Sequence, residues 1–216
     1  MPKHPAHFIG TFLYISFVFI WVYLILYQHK LIEKMVSPVP CTERLMQRYN
    51  IHGHRLVVGC IPYRYKGTHG TSVVDEDAIE VLVITSQRKG KGMLFPKGGW
   101  EKDESIIEAV LRETLEEAGV IGEVECELGK WNFKGKNNDM CYEGYMFSLL
   151  VKEELDFWPE KDVRQRKWVS VQEARKVCQY WWMKEALELF VNHITSQVTS
   201  RETECCSLSQ GTKSNL

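Results

Sequence analysis

Three carboxylates, Glu113, Glu116 and Glu117, lie within five residues of one another in the stretch LRETLEEAG. At the spacings i, i+3 and i+4 they repel on a helix unless something positive holds them together. Immediately upstream stands Phe95-Pro96-Lys97-Gly98-Gly99, whose paired glycines let backbone approach a ligand closely and whose lysine adds a cation. Oxygen-rich sites of this kind suit hard divalent ions that keep several waters. Such an ion cancels the carboxylate repulsion, neutralises phosphate charge and activates water. A solvated acidic helix face is the bland alternative for the glutamates alone, and the adjoining Lys-Gly-Gly turn weighs against it.

The helix carrying these acids is expected from about Glu104 to Ala118, closed by Gly119 as a C-terminal cap. At about 100° per residue, Ile107, Val110, Leu111, Thr114 and Ala118 form the stripe that packs on a sheet. The glutamates form an adjacent edge, near solvent but fixed on a rigid element. The β-branched runs Arg55 to Tyr63 and Ile79 to Gln87 read as strands. Two more strands flank a turn at Asn137-Asn138, KWVSV is a fifth, and VQEARKVCQY and WMKEALELFVNHIT read as closing helices. Strands on both sides of one helix, followed by terminal helices, indicate a mixed α/β sandwich.

The 216 residues and formal net charge of −1 fit one domain with extensions and give no general reason to expect nucleic-acid binding. Seven scattered cysteines without a Cys-x-x-Cys pair argue against a zinc site or a disulfide framework and point to a reducing compartment. Phe8 to Tyr27 is an uncharged run of twenty residues, long enough to span a bilayer as a helix. Residues 1–34 are therefore read either as a membrane anchor that leaves the domain in the cytosol or as leader sequence absent from the working protein. The domain is expected over residues 50–195. The Ser/Thr-rich tail over 196–216 is expected to be disordered.

Gly98, Glu104 and RETLEEAGV from Arg112 to Val120 specify nine positions across 23 residues, and this pattern resembles the Nudix box. The one soft departure is Thr114, where the family usually has an aliphatic residue. The resemblance implies the Nudix α/β/α sandwich and a hydrolase that needs Mg²⁺ or Mn²⁺ to cleave acid anhydrides of phosphorus. It implies Glu113, Glu117 and Glu116 as metal-binding carboxylates, with Glu116 also the general base. It further implies the Gly98 carbonyl as a ligand and Arg112 as the residue that orients a carboxylate, with Glu104 its candidate partner.

Within that family, FPKGGWEKDES and RETLEEAGVIG look like the diphosphoinositol polyphosphate and diadenosine polyphosphate phosphohydrolases of plants and fungi. A densely anionic small-molecule polyphosphate requires several cations. The candidates are Lys97, Arg55, Arg64, Arg88, Lys89, Lys91, Lys134, Lys136, Arg164 and Arg166. Trp131 and Phe133 are read as strand packing in preference to a base-stacking platform. An ADP-ribose or dinucleotide pyrophosphatase of the same fold is the alternative enzyme, and a non-catalytic polyphosphate-binding module the alternative of another class. The expected location is the cytoplasm or the nucleus, with membrane attachment through residues 8–27 if residues 1–34 are present.

Overall fold

The structure, a computed structural model, describes residues 46–66, 76–87, 92–135 and 140–209, with side chains to residue 196. The apolar run from Phe8 to Tyr27, the Asn137-Asn138 turn, and Arg88, Lys89, Lys91 and Lys136 lie outside the described residues. Among those described, no helix is long and apolar enough to cross a membrane.

The chain runs β1 (Arg55–Tyr65), a short 3-10 turn (Glu76–Ala78), β2 (Ile79–Thr85), β3 (Met93–Leu94), β4 (Lys97–Gly99) and α1 (Ile106–Ala118). It continues through β5 (Val120–Lys134), β6 (Cys141–Glu154), β7 (Arg166–Ser170), α2 (Val171–Val177) and α3 (Trp181–Ser209). The sheet order is β3-β2-β1-β6-β5, with β4 also on β1 and β7 also on β2. β1 and β6 are parallel, while the pairs β1–β2, β1–β4 and β5–β6 are antiparallel. The expected α/β/α sandwich with a mixed sheet is the fold found.

β1 is buried at eight consecutive positions, Leu56 to Tyr63, because helices cover both faces of its sheet. Val58, Cys60, Phe147 and Leu149 pack with Ala109 and Val110 of α1. On the other face Ile61, Tyr63 and Met146 pack with Trp182, Met183, Leu187 and Phe190. The four cysteines with described side chains, Cys60, Cys126, Cys141 and Cys178, are free thiols.

Three readings of the sequence need correction. Lys97-Gly98-Gly99 is not a turn but a strand, paired with Gly59, Val58 and Val57. The helix stripe is rotated from the one expected: Ile107 is 39% exposed, whereas Ala109, Val110, Glu113, Thr114, Glu117 and Ala118 are buried. The rotation is allowed because β4 offers glycine backbone where Glu113 needs space. Finally, the last helix does not stop near Thr195 but runs to Ser209. The helix is free to continue, since no Gly or Pro interrupts Trp181–Ser209 and an unpatterned polar sequence does not itself end one.

Candidate active site

α1 is fixed at both ends. Ser105 Oγ accepts the Glu108 N–H at 3.2 Å while the Glu108 carboxylate accepts the Ser105 N–H at 2.8 Å, a reciprocal capping box. Gly119 closes the helix in the left-handed region at φ 63° and donates to Leu115 O at 3.0 Å. Arg166 donates to the Ala118 and Gly119 carbonyls at 3.0 and 2.8 Å and to Leu155 O at 2.8 Å. That places a cation on the negative end of the helix.

On this rod the acidic edge leans onto β4. Glu113 and Glu117 are only 9% and 5% exposed, so the expectation that they stay near solvent holds only for Glu116, which is part-buried. The Lys97 N–H donates to Glu117 Oε2 at 2.7 Å. A β-carbon on Gly98 would lie 1.9 Å from Glu113 Oε2, so the glycine makes room for the carboxylate.

Two guanidinium groups supply the positive charge. Arg112 donates to both carboxylate oxygens of Glu104 at 2.9 and 2.7 Å and to the Gly99 carbonyl at 2.8 Å. It also donates to Glu113 Oε1 at 2.7 Å and Glu116 Oε2 at 3.3 Å. Arg164, 8% exposed, pairs with Glu117 Oε1, with Glu160 at 2.5 Å and with the Thr85 carbonyl at 3.1 Å. Glu160 returns an N–H to the Glu116 carbonyl at 3.1 Å.

These cations do not offset the burial. Desolvation pushes Glu116 up to about 7 against the pull of Arg112, with the neighbouring charge of Glu113 adding to the rise. Burial likewise pushes Glu117 up to about 7 against Lys97 and Arg164. It raises Glu113 against Arg112. Arg112 keeps its proton: burial works against its charge, but the bonds to Glu104 and Glu113 more than compensate. Among the described residues no three acidic, His or Cys side chains already converge as a metal cage. The donor set nevertheless fits a hard divalent cation, being all oxygen, buried and under-neutralised.

The other basic candidates separate into groups. Arg55 opens β1 and donates to Gln47 Oε1 at 2.7 Å, and a β-carbon on Gly99 would lie 2.8 Å from Arg55 Nη2. Arg55, Lys97 and Arg164 are therefore gathered around β4 and α1. Lys134 is exposed at the end of β5, one pairing beyond the Arg55–Tyr142 pair. Arg64 is not gathered there. It stands five residues along β1 from Gly59, the partner of Lys97, or about 17 Å at strand rise. It pairs with Glu80 and Glu154 at 2.8 and 3.0 Å and lies over Trp168 at 4.1 Å. Arg166 is spent on the helix end. Phe133 stacks against Tyr142 and Trp182 at centroid distances of 5.5 and 4.7 Å, and Trp131 donates to Glu185 at 2.8 Å, so both aromatics serve packing. The sequence does not single out Gln47, Arg48 and Glu160, since each acts through backbone groups or a non-local pair that leaves no pattern along the chain.

A family model for the NUDIX domain matches residues 54–190. Nudix hydrolase 4 of Arabidopsis thaliana is 59% identical over 161 residues, covering 74% of this chain and 77% of that protein. Nudix hydrolase 21, chloroplastic, of the same plant is also 59% identical, over 74% and 78% of the two chains. The bovine diphosphoinositol polyphosphate phosphohydrolase 3-beta is 32% identical over 64% of this chain and 78% of its own. Among solved structures, a NUDIX hydrolase from Nitrosomonas europaea superposes with TM-score 0.50 at 21% identity, over 63% of this chain and 88% of that one.

Proposed function

This chain belongs to the NUDIX family and is a hydrolase of phosphorus anhydrides, and we propose that its substrates are diphosphoinositol polyphosphates, diadenosine polyphosphates or both. The observation that carries this reading is the acidic edge of α1, three under-neutralised glutamates of which Glu113 and Glu117 lie against Gly98 and the Lys97 N–H of β4, with Arg112 and Arg164 beside them. Mg²⁺ or Mn²⁺ would be held by Glu113, Glu117 and Glu116, with the Gly98 carbonyl a further ligand. A bound divalent ion supplies charge neutralisation at the phosphates and a more acidic water. Glu116, the most open of the three acids and raised toward neutrality, is suited to accept a proton from attacking water. Arg112 holds Glu116 and Glu113 in register with β4. Lys97 and Arg55, with Lys134 at the strand end, form the cationic side that a polyphosphate needs, while Arg164 serves Glu117, Glu160 and the Thr85 carbonyl.

The match to a phosphohydrolase named for diphosphoinositol polyphosphates supports the substrate class. For location we propose a reducing, Mg²⁺-containing compartment. The chloroplast designation of one relative argues against holding to cytoplasm or nucleus alone. The experiment is Glu116→Gln: it should fold normally and lose about 10²–10⁴ in kcat, the usual worth of a general base. Near-normal kcat would remove Glu116 from the reaction.

A further inference from the structure

Residues 46–50 precede the span matched by the family model, yet they are bonded to the approach to α1. Gln47 bridges to Glu101 and Tyr49 to Arg55, and the Lys102 N–H donates to the Met46 carbonyl at 2.9 Å. Arg48 is pinned between the loop and β1: its N–H donates to Trp100 O at 3.0 Å and its carbonyl accepts the Leu56 N–H at 2.9 Å.

The Arg48 side chain grips the same loop. Its guanidinium donates to the carbonyls of Glu101, Lys102 and Glu104 at 3.1, 2.9 and 3.1 Å and stacks over Trp100 at 4.3 Å. The Trp100 indole N–H reaches the same Glu104 carbonyl at 3.1 Å. Nη2 makes all three of these bonds and Nε adds a second to the Glu101 carbonyl at 3.3 Å. The planar fork therefore holds Glu101 with two nitrogens while stacking on Trp100, a combination that a lysine's point charge cannot reproduce. The residue so fixed is Glu104, whose carboxylate holds Arg112 by two bonds and accepts the Glu101 N–H at 3.0 Å.

We propose that Arg48 is a positioning residue for hydrolysis, setting Glu104 so that Arg112 holds Glu113 and Glu116 against β4. The inference rests on the phosphoanhydride-hydrolase reading. Arg48 touches none of the three glutamates, and its effect passes through the Trp100–Glu104 loop. A misplacement of about 1 Å in a reacting group costs on the order of 10²-fold.

The test compares Arg48→Ala, Arg48→Lys and Trp100→Phe in the full chain. Arg48→Ala should lower kcat about 10- to 100-fold and leave KM within about twofold, because substrate binding is not its task. Arg48→Lys should not restore kcat. Guanidinium chloride at about 10–50 mM, far below the molar range that unfolds proteins, should restore part of it. Trp100→Phe keeps the stacking ring and loses one bond to Glu104, giving a smaller fall of the same kind if Arg48→Ala does not fold. Arg175→Ala is the control: it breaks a comparable cluster with Glu76 and Glu188 in the opposite layer and should leave kcat unchanged. Amide exchange by mass spectrometry supplies a readout independent of activity, since Arg48→Ala should speed exchange at Glu101. Unchanged kcat, a rise in KM alone, full rescue by lysine, or unchanged exchange at Glu101 would each overturn the proposal. If the unmodified chain cleaves no phosphoanhydride, the functional reading fails and the exchange result still decides whether Arg48 sets Glu104.

Discussion

Glu113 and Gly98 occupy one space: the carboxylate of the first lies where a side chain on the second would begin, 1.9 Å from an ideal β-carbon. The glycine is a steric requirement of the acidic edge, since a polar group so buried has no room to retreat. Gly98→Ala should therefore leave the far-UV circular dichroism intact and reduce turnover by about 10²-fold or more by displacing Glu113. Retained turnover would mean that Glu113 can move without consequence.

The titration of the same edge gives a pH prediction with a definite sign. Glu116 and Glu117 have folded-state values of about 7 against an ordinary 4.5. Between these values the native state binds more protons than the unfolded chain, so their contribution to stability is present below about pH 4.5 and is lost as pH rises through about 7. Glu76 and Glu143, held low by their hydrogen bonds to Arg175 and Tyr145 respectively, act in the opposite sense. The comparison is therefore between the unmodified protein and the Glu116→Gln/Glu117→Gln double variant. In EDTA, the Tm of the unmodified protein should fall relative to the variant between pH 5 and pH 8, and Mg²⁺ should recover it at pH 8. Parallel Tm curves for the two proteins would show that the acids are already neutralised without metal.

Lys97 presents a different kind of effect. Its backbone serves Glu117 and its charge acts on both buried acids. Lys97→Ala should raise KM more for highly phosphorylated substrates than for ADP-ribose, and salt should narrow the difference by screening. An equal rise for every substrate would make Lys97 a residue of the strand alone.

The acidic edge was legible because helix periodicity and glycine placement are local. The capping glycine was read correctly for the same reason: Gly119 closes α1 in the left-handed region that favours glycine. The helix's exact rotation was not legible, because Ile107 and Glu113 compete for the sheet-facing side and β4 decides between them through a cross-chain fit. Arg64 and Arg166 show the same limit. As charges in a sequence they match any cationic loop, and only folding gives Arg64 its partners Glu80 and Glu154 and sets Arg166 on the end of α1. Arg48 was invisible for the converse reason: its partners are carbonyls, which every residue carries.

Metal-dependent cleavage of a phosphoanhydride is the reaction expected at the Glu113–Glu117 edge. Its most direct measurement is kcat/KM for a diphosphoinositol polyphosphate, a diadenosine polyphosphate and ADP-ribose, each with Mg²⁺, with Mn²⁺ and in EDTA. Turnover should be supported by metal, highest on one of the first two, abolished by EDTA and weakened by Glu117→Ala in a way that higher metal concentration partly restores. Full turnover in EDTA, or a clear preference for ADP-ribose, would contradict that expectation.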